Sequence, residues 1–299
     1  LGDEVTERLI DPMVGGINAS DIDRLSLRSA SPQLASAAGS HRSIIEGLRA
    51  ARSRTGATLG SAGNAPVFHG LAGGVARIID ELVAALADCD LQLGTPAASS
   101  TLDAVFDSHR VIIATPAPAA AQLLANVSPR ASHLLREIEY ASVAQVTIEL
   151  PTTGVDPVLD ASGILFPRVD GMLITACTWF STKWAHYARP DTVLLRMTSG
   201  RFGDDRALQL DDETLLDVLL GEVGSVVDIS AAPRAVRVHR WIDALPQYVP
   251  GHQARIDQIV AALAEDAPHL HLAGAAYQGI GIPATIESGR SAARRALAS

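Results

Sequence analysis

The residues with the clearest chemical promise lie near the end of the chain, in LAGAAYQGIGIPATIESGRSAA, residues 272–293. Within this run Gly279-Ile280-Gly281-Ile282-Pro283-Ala284 matches the pattern G-x-G-x-x-A. Gly279 and Gly281 would let main chain approach a ligand closely. Pro283 suits the first turn of a helix, where a missing N–H leaves nothing unpaired. A helix beginning near Pro283 or Ala284 would present free N–H groups and a positive dipole end, which is a seat for an anionic or electron-rich ligand. The same residues also read as a plain strand–loop–helix connection, and taken alone they weigh the two readings evenly. They are not a phosphate-binding fingerprint. That pattern needs its glycines directly after a strand and an acidic residue about 20 positions on, whereas Ala275-Ala276-Tyr277-Gln278 intervene here.

Other chemistry is thin. There is no G-x-S-x-G elbow, and no catalytic acid, base or nucleophile stands out. His269 and His271 form an i, i+2 pair in an expected strand, not the H-E-x-x-H spacing of a metal site, so no metal is expected. His252 follows Pro250-Gly251 and reads as a turn residue. Arg237, Arg240 and Trp241 could line a cavity, but a solvated strand face is the simpler reading. Cys89 and Cys177 lie far apart without a CxxC spacing and read as two buried thiols of a reducing cytoplasm.

The elements that must position these residues follow from hydrophobic rhythm. The first 60 or so residues read as helical and irregular, with Ser20-Asp21-Ile22-Asp23 able to cap a short helix. ATLGSAGNAP, from residue 57, reads as a linker of turn formers. Val75, Ile78, Ile79, Leu82, Val83 and Leu86 recur at i, i+3, i+4, i+7 and predict an amphipathic helix. RVIIATP (110–116) is a continuous apolar run of the kind buried on both faces. VAQVTIEL (143–150) and RAVRVHR (234–240) alternate with period two, and GILFP, GMLITACTWF and TVLLRMT add further strands. A helix is expected at about 212–224 and another at about 251–264, followed by the strand HLHLAG. Two α/β segments thus flank an antiparallel sheet with helices on one face, the interleaved layout of a nucleotide-binding domain that has accepted an insertion.

Bulk properties narrow the class. The 299 residues include 24 Lys and Arg against 33 Asp and Glu, a formal charge of −9 that argues against a nucleic-acid surface. No stretch approaches the roughly 20 apolar residues of a bilayer span. LGDEVTERLIDPMVGG has neither the basic nor the apolar region of a signal peptide, lacks an initiator Met, and reads as the middle of a helix, so a missing N-terminus is expected.

The terminal motif closely resembles the C-terminal signature of the protoporphyrinogen/coproporphyrinogen oxidase family, a branch of the flavin amine-oxidase superfamily. LIDPMVGGINASDIDRLSLRSASPQL (9–34), HRSIIEGLR, FHGLAGGVARIIDELVAAL, VIIATPAPAAAQLL and WIDALPQYVPGHQARI resemble further family blocks in the same order. The resemblance implies an α/β fold: a glutathione-reductase-like FAD domain, here lacking its N-terminal βαβ unit, with an inserted antiparallel-sheet substrate domain and a helical subdomain. The implied segments are a helical subdomain remnant at 1–62, FAD-domain segments at 63–118 and 246–299, and a substrate domain at 119–245.

The resemblance also implies a cytoplasmic oxidase in which FAD removes six electrons from a porphyrinogen in three rounds. Molecular oxygen reoxidises the flavin and yields hydrogen peroxide. Coproporphyrinogen III is the expected substrate, with protoporphyrinogen IX as the alternative. Another flavin amine-oxidase chemistry and a cofactor-less, non-catalytic homologue are the more distant readings. Hand-over of product to a ferrochelatase-type enzyme is expected, and oligomeric state is left open. By position, Gly274 and Ala275 match residues near the FAD phosphates and ribityl chain. Ile280, Gly281 and Ile282 match the loop packed on the flavin, and Ala97 falls on the adenine side. Leu165 and Thr175 fall at the substrate cavity. Because the N-terminal G-x-G-x-x-G unit is absent from these residues, weak FAD binding or none is expected of this polypeptide alone. Extra propionates on the substrate would call for cationic partners, with Arg168, Lys183, Arg201 and Arg206 as candidates.

Overall fold

The computed structural model describes residues 2–54, 69–98, 109–155 and 161–298. The linker expected from residue 57 lies outside them. A five-stranded antiparallel sheet dominates the middle of the chain. Its strands are β2 (Tyr140–Pro151), β3 (Gly163–Leu165), β4 (Ile174–Trp179), β5 (Thr192–Ser199) and β6 (Ala235–Pro246), in the order β3-β4-β5-β2-β6. Period-two alternation sends Ala144, Val146, Ile148 and Leu150 of β2 to one face, where they meet Leu195 and Met197 of β5 in a closed core. Helix α6 (Asp212–Val223) covers that face with Leu215, Leu219 and Val223. The Asp211 carboxylate caps it by accepting the Thr214 N–H at 2.8 Å. A register shift in β4 between Ile174 and Ala176 leaves Thr175 as the extra residue. The shift lets both Ile174 and Cys177 enter the same core. Glu222 accepts the Leu173 and Ile174 N–H groups at 2.9 and 2.8 Å, so the irregular strand end is satisfied from α6.

The flanking segments meet across this insertion. Strand β1 (Val111–Ile113) pairs in parallel with β7 (Leu270–Leu272), 157 residues on between Ile113 and Leu270 in the register that aligns Val111 with Leu270 and Ile113 with Leu272. Helices α4 (Ala117–Leu123), α5 (Pro129–Arg136) and α7 (His252–Asp266) pack with the pair in a second core that includes Ile113, Leu124, Leu135, Ile259 and Leu263. The C-terminal helix α8 (Ile282–Ala298) contacts both strands.

The N-terminal region is helical. It contains a widened π-type helix at Thr6–Gly15 with Pro12 inside it. A proline cannot join an ordinary i→i−4 ladder, and wider winding accommodates it. Asp11 pairs with Arg201 at 3.7 Å, both buried, and Phe202 donates its N–H to Ala19, so this region docks onto the end of β5. Beyond it, α1 (Pro32–Ser40) and α2 (Ile44–Arg54) pack closely where Gly47 leaves no room for a Cβ against Ala37.

Four sequence readings change. The short helix Leu27–Ala30 is capped by Ser26, not by residues 20–23. The expected amphipathic helix forms as α3 (Arg77–Ala85), but its apolar row is uncovered: Ile79 is 61% and Leu82 52% exposed. Strand β1 buries only Ile113, because β7 is its one strand neighbour among the described residues. Cys89 is exposed whereas Cys177 is buried, and burial pushes the Cys177 thiol up to about 12. Among the described residues no helix is long and apolar enough to cross a membrane.

Candidate functional site

Strand β7 ends at Leu272, and Ala273 still donates its N–H to Ile113. The chain then makes the turn Gly274–Gly281 before α8 begins at Ile282, so Pro283 sits in the first helical turn, as its chemistry favours. Gly279 (φ 142°) and Gly281 (φ 105°) occupy backbone that side chains rarely adopt. A Cβ on Gly279 would lie 2.9 Å from the Ala284 Cβ, whereas nothing stands within 4 Å of the Cβ position on Gly281. Thr285 returns both its N–H and its hydroxyl to the Gly281 carbonyl at 3.0 Å. The first-turn N–H groups ahead of Thr285 have no intrahelical acceptor and point out of the helix end.

Three side chains hold this turn. Ser288, buried on α8, accepts the Gly274 N–H at 3.0 Å. Tyr248, 3% exposed, reaches in from the end of β6. Its hydroxyl donates to the Ala275 carbonyl at 2.5 Å and accepts the Gly279 N–H at 2.7 Å, so one phenol closes both arms of the turn. Burial pushes that phenol up to about 12, which keeps its proton in place for donation. His252, 2% exposed, stacks on Tyr248 with ring centroids 4.3 Å apart. This corrects its reading as a turn residue: Pro250-Gly251 does form the turn, and the imidazole that follows it folds inward under the glycine loop. Burial holds His252 below its usual range, with the Ala276 backbone opposing and the Arg255 charge assisting. A second phenol, Tyr140, accepts the Ala117 N–H at 2.9 Å and so caps α4 where it leaves β1.

Tyr277 is buried with its hydroxyl unpartnered, and burial raises its pKa. It lines a cavity of about 550 Å³ between α7, β7 and α8, together with His271, whose Nε2 is also unpartnered. Ile280 is half-buried and Ile282 is 47% exposed. The geometry therefore offers an apolar, glycine-relieved edge beside a helix N-terminus. It suits a flat ligand that carries negative charge at one end.

The other expected residues are distributed as follows. Gly274, Ala275, Ile280 and Gly281 belong to this one turn, and Ile282 opens the helix that follows it. Ala97 lies in an exposed stretch without regular secondary structure. Leu165 is on β3, paired with Ala176, and its side chain is exposed. Thr175 is buried at the β4 bulge and donates its hydroxyl to the Thr198 carbonyl at 3.0 Å. Arg168, Arg201 and Arg206 pair with Asp21, Asp11 and Asp204. Lys183 lies 5.8 Å from the Trp184 ring centre. Tyr248 and His252 were missed as site residues. Their signal was present in PQYVPGH, yet only the fold shows that this loop returns beneath residues 275–279.

Residues 1–297 match the flavin containing amine oxidoreductase family, and the chain belongs to it. It is 34% identical to Coproporphyrinogen III oxidase of Bacillus subtilis (strain 168), over 99% of this chain and 65% of that protein. The same name is carried by a Mycobacterium leprae (strain TN) protein, also 34% identical, over 99% of this chain and 64% of that one. Protoporphyrinogen oxidase of Bos taurus is 28% identical over 99% of this chain and 67% of the relative. A crystal structure from Exiguobacterium sp. 255-15, provisionally described as a protoporphyrinogen oxidase, superposes with a TM-score of 0.80 at 28% identity, over 100% of this chain and 65% of that one. The chain thus spans 65% and 64% of the length of the Bacillus and Mycobacterium proteins.

Proposed function

We propose that this chain forms the flavin-facing turn and the substrate sheet of an FAD-dependent oxidase that converts coproporphyrinogen III to coproporphyrin III. The observation that carries the reading is the Gly274–Gly281 turn. Tyr248 and Ser288 fix it, and it opens onto a helix N-terminus beside exposed Ile282. The residues present fit a flavin. Open space at Gly281 admits close approach, Ile280 and Ile282 offer apolar cover, and the α8 terminus favours the negative charge of a reduced isoalloxazine. Bound FAD would accept two electrons per round, three rounds aromatising the macrocycle, with molecular oxygen as the final acceptor and hydrogen peroxide as its product.

In this reading the segments 63–118 and 246–299 belong to a glutathione-reductase-like FAD domain, and 119–245 is the inserted substrate domain beside a helical subdomain at 1–62. Gly274 and Ala275 lie toward the phosphates and ribityl chain. Ile280, Gly281 and Ile282 lie against the ring system, and Ala97 toward the adenine. Leu165 and Thr175 border the substrate. Residence in the cytoplasm and hand-over of product to a ferrochelatase-type enzyme belong to the same proposal. The protein's own contribution is to orient and to exclude water, which accounts for the lack of an acid–base constellation in the turn.

The test is to follow porphyrin fluorescence and peroxide after mixing the FAD-loaded enzyme with anaerobically prepared coproporphyrinogen III. The expected result is porphyrin well above the uncatalysed rate, with about three peroxides per porphyrin from the six-electron balance. Rapid oxidation of amines without porphyrin formation would overturn it. Protoporphyrinogen IX is the second reading, favoured by the bovine and Exiguobacterium likenesses. A clear preference for it in the same assay would replace the first.

A further inference from the structure

The face of the five-stranded sheet opposite α6 carries a cross-strand row whose chemistry the turn at 274–281 does not use. Arg196 on β5 stands opposite Thr147 on β2 and Thr178 on β4, and Arg237 on β6 stands opposite Thr147 on its other side. The row therefore reads Thr178, Arg196, Thr147, Arg237. The two arginines are two strand spacings apart, roughly 10 Å at the backbone. Arg196 is half-buried, its guanidinium 4.7 Å over the Phe180 ring, and its Nε is buried without a hydrogen-bond partner.

Neither arginine has a carboxylate partner among the described residues. Arg168, Arg201, Arg206 and Arg240 each do. Glu149, the carboxylate of β2 on the same face, forms no ion pair with Arg196. A half-buried guanidinium left without its counter-charge is costly unless a ligand supplies one. A planar fork of donors beside an aromatic ring and two hydroxyls suits a carboxylate attached to a flat apolar body.

We propose that Arg196, with Arg237 beside it, forms a carboxylate subsite on the open face of this sheet that takes propionate groups of the tetrapyrrole. This rests on the porphyrinogen-oxidase reading and deepens it by naming the side chains that would take the propionates both candidate substrates carry. Arg196, fixed over Phe180, is the stronger anchor, and the exposed Arg237 the weaker.

The experiment uses the FAD-loaded enzyme with Arg196→Gln, Arg237→Gln and the double change. The expected result is a KM for coproporphyrinogen III raised roughly 10- to 100-fold by Arg196→Gln, the range for a lost charge-assisted hydrogen bond, and less by Arg237→Gln. The value of kcat should stay nearly constant, and the KM for protoporphyrinogen IX, which also carries propionates, should rise as well. Fluorescence titration gives an independent readout. Binding of coproporphyrin III should weaken in parallel, while its tetramethyl ester, of the same shape without charge, should bind wild type and variant alike. Equal effects on acid and ester, or no change in KM in a folded variant, would overturn the subsite. If Arg196→Gln does not fold, Arg196→Lys keeps the charge and loses the fork. A several-fold weaker acid affinity supports the subsite, and unchanged affinity rejects it. A wild-type enzyme that oxidises neither porphyrinogen would instead overturn the functional reading itself.

Discussion

Replacing Tyr248 by Phe removes one oxygen and leaves the ring stacked on His252, so it isolates what the phenol does for the turn. Two main-chain groups lose their partner, the Ala275 carbonyl and the Gly279 N–H, held at 2.5 and 2.7 Å. A buried polar group left unpaired costs about 1–3 kcal/mol. Gly279 is half-exposed and water can recover part of its bond, so the two together should cost about 2–4 kcal/mol. For a chain of this size that corresponds to a fall of roughly 3–6 °C in melting temperature. The internal control is Tyr277→Phe. That hydroxyl is equally buried but has no partner, so its removal should be neutral or mildly stabilising. The assay is calorimetric melting of both variants, with amide exchange at Gly279 as a local readout, expected to quicken in Tyr248→Phe alone. Two equally buried phenols in the same protein should thus respond differently, because only one of them has partners. If Tyr248→Phe melts within about 1 °C of wild type and Gly279 exchange is unchanged, the claim that this phenol holds the turn is wrong.

The remaining expectations are narrower. Gly279→Ala should destabilise by about 2–3 kcal/mol, because strain at φ 142° adds to a 2.9 Å clash with Ala284. Gly281→Ala meets open space and should lose only about 1 kcal/mol from strain at φ 105°; chemical denaturation of both checks the ordering. His252 is depressed by burial from an ordinary value of 6.5. The unfolded chain therefore binds more protons below that value. The stability this group contributes is present above pH 6.5 and is lost as pH falls through the lower folded value. His252→Phe should flatten the fall in melting temperature between neutral and mildly acid pH. His271, depressed by burial and by Arg295 and His269, keeps a residual slope. A thiol reagent at mildly alkaline pH should modify exposed Cys89 in the native protein and leave Cys177 untouched until denaturant is added, which mass spectrometry reads directly.

What the sequence made legible was set by periodicity and by glycine and proline chemistry. Alternation in VAQVTIEL and RAVRVHR located β2 and β6, and the apolar spacing of Leu215, Leu216 and Leu219 located α6. The terminal turn was legible because Gly279, Gly281 and Pro283 restrict what backbone can pass through them. Long-range partners were not legible. No local rule reports that Tyr248 reaches residues 275 and 279, or that Ser288 returns to Gly274. The β4 bulge shifts the phase of the strand by one residue, so alternation alone cannot tell that Ile174 and Cys177 share a face. Exposure misled in α3, where the rhythm fixes the helix but not what lies against its apolar row.

The two cores differ in how far they close, and this bears on what a flavin would do. The sheet and α6 bury their own apolar face, from Val146 and Ile148 to Leu219. Around β1 and β7, apolar groups stay open at Ile112, Ile282 and Ile286, next to a turn that is already held at Gly274, Ala275 and Gly279. A ligand arriving there need not order the backbone, so its binding energy is not spent on loop entropy. The gain should come from covering apolar surface and from the α8 terminus. Mass action then gives about 2.7 kcal/mol of added stability at a hundredfold excess over Kd. Amide exchange with and without FAD separates this from a general effect. Protection should rise along Gly274–Thr285 and the start of α8, while β2 and β5 in the closed core should change little. Equal gains in both cores would mean that the turn is not where the cofactor's stabilisation enters.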